Sequence, residues 1–190
     1  MLSFRKYFEE EDRPELVDGY APASWYKIPL KNKIIAYHGG SDFDEFSLDH
    51  LGSGEHDYGR GMNPALGFGI YFSNCKDIAL NYIKYSSGDK ALHRVELDTT
   101  NLYDQRNGTP HLNKSFDKIL ESIGKTREDR PFSTYGVYQG IFRMIDKRSA
   151  IKLLLDHGID GIFTRLPSGC YEISVINLKI IKKLDKEVII

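Results

Sequence analysis

Gly67-Phe-Gly69-Ile-Tyr71-Phe-Ser73 is the stretch on which the fold turns. Its two glycines run directly into an apolar, aromatic segment of strand type, with no third glycine and no helix start behind them. A dinucleotide fingerprint needs both, because the last glycine opens the helix whose N-terminus meets the pyrophosphate. Gly59-Arg-Gly61 fails in the same way, and Gly124-Lys125-Thr126 lacks the upstream glycine a phosphate loop needs, Ile119 standing in its place. A doubly wound nucleotide-binding sheet is thereby excluded.

Working outward, Lys33-Ile-Ile-Ala-Tyr37 reads as a strand that leads straight into His38-Gly39-Gly40. Gly52, Gly54, Gly59, Gly61, Gly67 and Gly69 give the next segment the density of a loop wrapped closely around a ligand. Beyond Ser73, Lys76 to Tyr85 reads as a helix with Ile78, Ala79, Tyr82 and Ile83 on one face. Leu92 to Leu97 alternates like a half-buried strand. Residues 99–135 are polar and irregular, with a helix expected at Ser115 to Ser122. An amphipathic segment, Val137 to Leu155, is closed by Gly158. Gly161 to Thr164 and Tyr171 to Ile176, continuing through Ile181, read as the last strands. Strands interrupted by helices without regular βαβ alternation predict an α+β fold.

At 190 residues the chain has room for one domain. We expect it at 33–190, preceded by an arm at 1–32 with a short charged helical pattern from Phe4 to Asp12. With 26 basic against 27 acidic residues, composition excludes a polyanion-coating protein. No apolar run reaches the ~18 residues a membrane span needs, and the opening MLSFRKYFEEEDR lacks an apolar signal stretch. A soluble, cytoplasmic chain is expected. Cys75 and Cys170 show neither disulfide-scaffold nor zinc spacing, so neither a crosslinked framework nor a metal is expected, and a reducing compartment is the default.

The candidate chemistry sits at strand ends. His38 follows an apolar strand and precedes two glycines. Tyr71 and Tyr82 lie on a strand and on the helix after it. Glu172 interrupts the apolar run Tyr171-Glu-Ile-Ser-Val-Ile176, where alternation puts it with Ser174 and Ile176 on one face. Each of these residues alone reads equally as a structural one. Together they resemble the His-Tyr-Glu signature of the diphtheria-toxin and poly(ADP-ribose)-polymerase branch of ADP-ribosyltransferases, most closely the ADP-ribosyltransferase domains of phage polyvalent proteins. The likeness runs over roughly residues 34–182 and includes His38-Gly39, Phe43-Asp-Glu-Phe46, Ser47 to Glu55, Gly69-Ile-Tyr71 and Gly158-Ile-Asp-Gly-Ile162. Two positions depart from the pattern: Gly40 stands where serine or threonine is usual, and Ala79 where polymerase-type relatives often carry serine.

The resemblance implies a split mixed β-sheet with flanking helices, and NAD+ as co-substrate without a metal. Catalytic residues would be His38, Tyr71 and Glu172. Tyr71 and Tyr82 would sandwich the cationic nicotinamide by stacking and cation–π attraction. The Gly39 backbone would meet the carboxamide and His38 the adenosine ribose, with Glu172 opposite the sugar cation. Ser73 reads as a further NAD+ contact or as a structural hydroxyl. Glu55 and Arg60 are weaker candidates, for the ribose or target and for the pyrophosphate. The implied activity is transfer of ADP-ribose, mono-transfer by the chain's small size, to a macromolecular acceptor, protein or nucleic acid. The setting would be a phage or bacterial toxin-like effector, in a host cytoplasm if delivered. An NAD+ glycohydrolase on the same site and a silent NAD+ or ADP-ribose-binding module are the alternatives. A nucleic-acid reader is weaker, because the cluster Lys179 to Lys186 suits a guarded strand edge.

Overall fold

The computed structural model describes residues 13–50, 66, 68–84, 86, 88–132 and 136–189. Strands form where the apolar alternation places them, and their neighbours decide how far they extend. β1 (Lys33–Ser41) runs past its apolar start through two glycines, because β3 (Lys90–Asp98) lies alongside it from Lys33↔Asp98 to Ser41↔Lys90. β2 (Ile70–Ser73) is followed by α1 (Lys76–Ile83), then β3 and the short β4 (Leu102–Asp104). α2 (Pro110–Ser122) starts earlier than its apolar pattern, with proline in its first turn.

The segment from Val137 to Leu155 is not one helix. Ile145 is extended and the Asp146 carboxylate accepts the Ser149 N–H at 3.0 Å, so α3 (Val137–Met144) ends and a capped α4 (Lys147–Asp156) begins. β5 (Gly161–Arg165) and β6 (Tyr171–Val175) follow. A 3₁₀ turn at Leu178–Ile180 then breaks the expected continuation before the edge strand β7 (Ile181–Ile189).

The result is one mixed α+β domain: a seven-stranded sheet in the order β4-β5-β6-β2-β1-β3-β7 with four helices among the described residues. Only β4 and β5 run parallel. The sheet is split in the middle, since β1 and β2 share the single register pair Tyr37↔Ser73, whereas β1–β3 and β2–β6 are paired along their length.

Side chains directly opposite in antiparallel strands share a face. One face carries Ile34, Ala36, Phe72, Val95, Leu97, Ile173 and Val175 into the main core, with α2, α3 and α4 supplying Phe116, Tyr138 and Leu154. The other face carries Tyr37, Gly39, Tyr71, Ser73 and Glu172, and here α1 packs through a separate cluster of Tyr37, Ala79, Ile83 and Leu92.

Within the segment read as an arm, Trp25 is buried in the main core and Ala21 N–H donates to Pro167 O at 2.8 Å. Arg165 fixes this end of the sheet. Its guanidinium bonds the Asp104 carboxylate and the Ile28 carbonyl, nearly fully buried. The charged pattern from Phe4 to Asp12 lies outside the described residues.

The expectation about cysteine is corrected: Cys75 and Cys170 form a disulfide, with Cα atoms 5.8 Å apart across a sequence separation of 95. The sheet register is the reason. Ser73 pairs with Glu172, and the two cysteines continue that ladder, each two residues beyond this pair. No helix among the described residues is long and apolar enough to cross a membrane.

Candidate functional site

The middle of the sheet gathers the four polar residues that the sequence singles out. Glu172, the second residue of β6, lies opposite Ser73 of β2, and its Oε1 accepts a short hydrogen bond from the Tyr82 hydroxyl on the last turn of α1. Tyr71, two residues before Ser73, shares the Glu172 face, and its ring centroid is 6.3 Å from that of Tyr82 at an interplanar angle of 67°. The phenols thus meet edge to face here. A flat ligand ring held between them requires one phenol to turn. The Tyr71 hydroxyl accepts from Leu66 N–H at 3.1 Å.

His38 belongs to the same centre from the opposite side of the strand. Its Nδ1 lies 2.8 Å from the Tyr71 carbonyl oxygen, across the split. A carbonyl only accepts, so Nδ1 carries the proton and Nε2 keeps its lone pair. Burial pushes the ring's pKa down to about 4, the bond to Tyr71 opposing and nearby His93 reinforcing the shift. His38 is therefore neutral at pH 7, a fixed donor–acceptor and not a titrating base.

Rings surround it. Phe43, Phe46, Phe72 and His93 have centroids within 5.9 Å of His38, and His93 stacks on Phe43 at 4.1 Å. The loop carrying both phenylalanines is tied down by β7: Lys183 Nζ donates to the carbonyls of Phe43 and Asp44, and Lys186 Nζ meets Asp42 at 2.7 Å and Asp44 at 3.1 Å. His93 is the residue the sequence reading missed. Its Nε2 faces Ser41 O at 3.2 Å, its Nδ1 has no partner among the described residues, and burial lowers its pKa. The available signal was a histidine on the apolar face of an alternating strand.

Two glycines set the packing around His38 and α1. A Cβ on Gly39 would overlap the Ala79 carbonyl oxygen and come within 2.8 Å of Ile83 Cγ1. Residue 39 is glycine because α1 lies directly on the strand there, and Ala79 is fully buried in that contact, where a serine hydroxyl would be enclosed among apolar neighbours. A Cβ on Gly40 would sit 2.7 Å from His38 Nε2, so the ring keeps this position only beside glycine.

Ser73 is fully buried and its hydroxyl is engaged, donating to Tyr171 O at 2.7 Å and accepting Cys75 N–H at 3.1 Å. Those bonds position the entrance to β6. Tyr171 N–H is further held by Asn74 Oδ1 at 2.6 Å. Glu55 and Arg60 lie outside the described residues, as does the glycine loop except Gly69, where a Cβ would clash with Ser174 and Val175 of β6. Among the described residues no group of three or more His, Cys, Asp or Glu is arranged to hold a metal ion.

No family model matches the chain, and neither does any curated protein. Among solved structures, a chain of the M. tuberculosis MbcT-MbcA toxin-antitoxin complex is similar at 11% identity and a TM-score of 0.41, covering 83% of this chain and 84% of that one. A likeness that distant carries no inference about the site.

Proposed function

We propose that this chain cleaves the nicotinamide–ribose bond of NAD+ and transfers ADP-ribose to a macromolecular acceptor. The observation that carries the reading is one juxtaposition: a strand carboxylate, Glu172, bonded by the Tyr82 hydroxyl on the face that also carries the Tyr71 ring, at the split of the sheet, with the neutral His38 bonded to the Tyr71 carbonyl from the other side of the strand. Aromatic faces suit a flat cation such as nicotinamide. His38 Nε2 suits a hydroxyl donor such as ribose, because its other nitrogen is committed to Tyr71 O.

The reaction follows from these groups. The N-glycosidic bond breaks with its electron pair passing to the nicotinamide nitrogen, which neutralises that ring. The ribose becomes oxocarbenium-like, and the Glu172 carboxylate stabilises the developing positive charge. The acceptor's nucleophile bonds to the anomeric carbon and sheds a proton that the same carboxylate is placed to take. Tyr82 holds the carboxylate in position and spares it reorganisation during the step.

The test is nicotinamide release with NAD+ alone and with a cell extract supplying acceptors. Glu172→Gln should lose ~10²–10³ in transfer rate while keeping NAD+ binding. Transfer at the parental rate by that variant would overturn the assignment. Stoichiometric free ADP-ribose from NAD+ alone identifies water as the acceptor and the enzyme as a glycohydrolase.

A further inference from the structure

The Cys75–Cys170 disulfide occupies a particular place in this architecture. Cys75 is the N-cap residue of α1, the helix whose last turn carries Tyr82. Cys170 lies two residues before Glu172, at the entrance to β6. The bridge thus joins the two supports of the Tyr82–Glu172 hydrogen bond, and both cysteines are about 1% exposed. The same end of these supports is also joined, among the described residues, by the Ser73↔Glu172 strand pair and by the hydrogen bonds Ser73 Oγ to Tyr171 O, Cys75 N–H to Ser73 Oγ and Tyr171 N–H to Asn74 Oδ1. Elsewhere α1 is held by its small cluster with Tyr37 and Leu92, separate from the main core, and by the ion pair of Lys76 Nζ with Glu187 at 2.7 Å.

We propose that Cys75 and Cys170 are positioning residues whose crosslink holds the acid and its tyrosine in register, so that turnover depends on the oxidised pair. This rests on the catalytic reading of Glu172 given above. Reduction is a two-electron exchange. A dithiol such as dithiothreitol breaks the Cys75–Cys170 bond and closes its own disulfide, and two electrons and two protons pass to the protein as two thiols. A misplacement of about 1 Å at a catalytic group lowers rates by up to about 10²-fold. The expected signature is therefore chiefly in kcat, with the KM for NAD+ changed less, because His38 and the Tyr71 ring sit on β1 and β2 and Tyr82 alone moves with α1.

The experiment compares oxidised wild type, dithiol-reduced wild type and the Cys75→Ser/Cys170→Ser double variant, with thiol content read by mass and folding by circular dichroism. We expect at least a tenfold fall in kcat for both uncrosslinked forms, recovery on reoxidation of the wild type alone, and faster amide exchange at residues 73–76 and 170–172 with β1, β3 and β7 unchanged. Equal kcat in folded crosslinked and uncrosslinked forms overturns the proposal, as does unchanged exchange at those amides. If the double variant does not fold, the reduced wild type, held below its melting temperature, gives the same comparison. Absence of NAD+ cleavage by every form sinks the catalytic reading alone, and amide exchange then decides whether the bridge orders these two segments.

Discussion

Gly39→Ala is the substitution that most directly tests how the site is assembled. A methyl group at residue 39 overlaps the Ala79 carbonyl oxygen and lies 2.7 Å from its carbon and 2.8 Å from Ile83 Cγ1. Ordinary carbon contacts begin near 3.5 Å, so α1 must lift from β1 by roughly 1 Å. Overpacking of this kind costs about 1–3 kcal/mol, which for a domain of this size lowers the melting temperature by roughly 2–12 °C. The same movement carries Tyr82 away from Glu172, and a displacement of about 1 Å predicts up to about a 10²-fold loss in the rate of nicotinamide release. Thermal melting and single-turnover release, measured on one preparation, give both numbers. Ala79→Gly should not rescue the variant, because the atom met is backbone. A Gly39→Ala protein that melts within about 1 °C of the parent and keeps its release rate within about twofold would refute the close packing of α1 on β1.

Two further outcomes concern stability. His38 has a folded-state pKa of about 4 against an ordinary 6.5, so between these values the unfolded chain binds the extra proton. The stabilisation is complete above pH 6.5 and is lost as the pH falls through that window towards 4, by up to about 3 kcal/mol. Urea midpoints at several pH values should show this slope in the parent and a flatter one in His38→Gln, and equal slopes would exclude a buried neutral ring. Asp104→Asn leaves the Arg165 guanidinium buried without its counter-charge. Losing one partner of a buried pair typically costs about 3–5 kcal/mol. Denaturant titration should register that loss while the release rate, measured well below melting, stays at the parental value.

Much of this was legible in the sequence, for reasons that can be traced residue by residue. The two glycines leading into Ile70–Ser73 excluded a dinucleotide fold, and alternation located five of the seven strands. β4 is only three residues, too short to carry a period. The break at Ile145–Asp146 has no apolar interruption. Its signal is an aspartate placed to cap, which the amphipathic pattern obscures. Glu172 stood out as a carboxylate in an apolar strand; the structure bonds the Tyr82 hydroxyl to it and puts Tyr71 on the same face, with His38 bonded to the Tyr71 carbonyl. The bond between Tyr82 and Glu172 and the edge-to-face phenols depend on how α1 seats on β1, which no local pattern encodes. Gly39 was read as a backbone contact for the carboxamide, and no local pattern shows that its missing side chain also admits the Ala79 carbonyl. The pairing of Cys75 with Cys170 is a product of strand register across 95 residues of sequence.

Beyond its crosslinked N-cap and the Lys76–Glu187 ion pair, α1 is attached through Tyr37, Ala79, Ile83 and Leu92 on the face away from the main core, which divides the molecule into units of unequal robustness. A helix seated on so small an apolar patch is the sort of element that opens ahead of global unfolding. Warming would then silence the protein while its far-ultraviolet spectrum still reports an intact sheet, and cooling would restore it. An assay run against temperature would fall off several degrees before the calorimetric peak, so loss of function would be a poor proxy for denaturation in this chain.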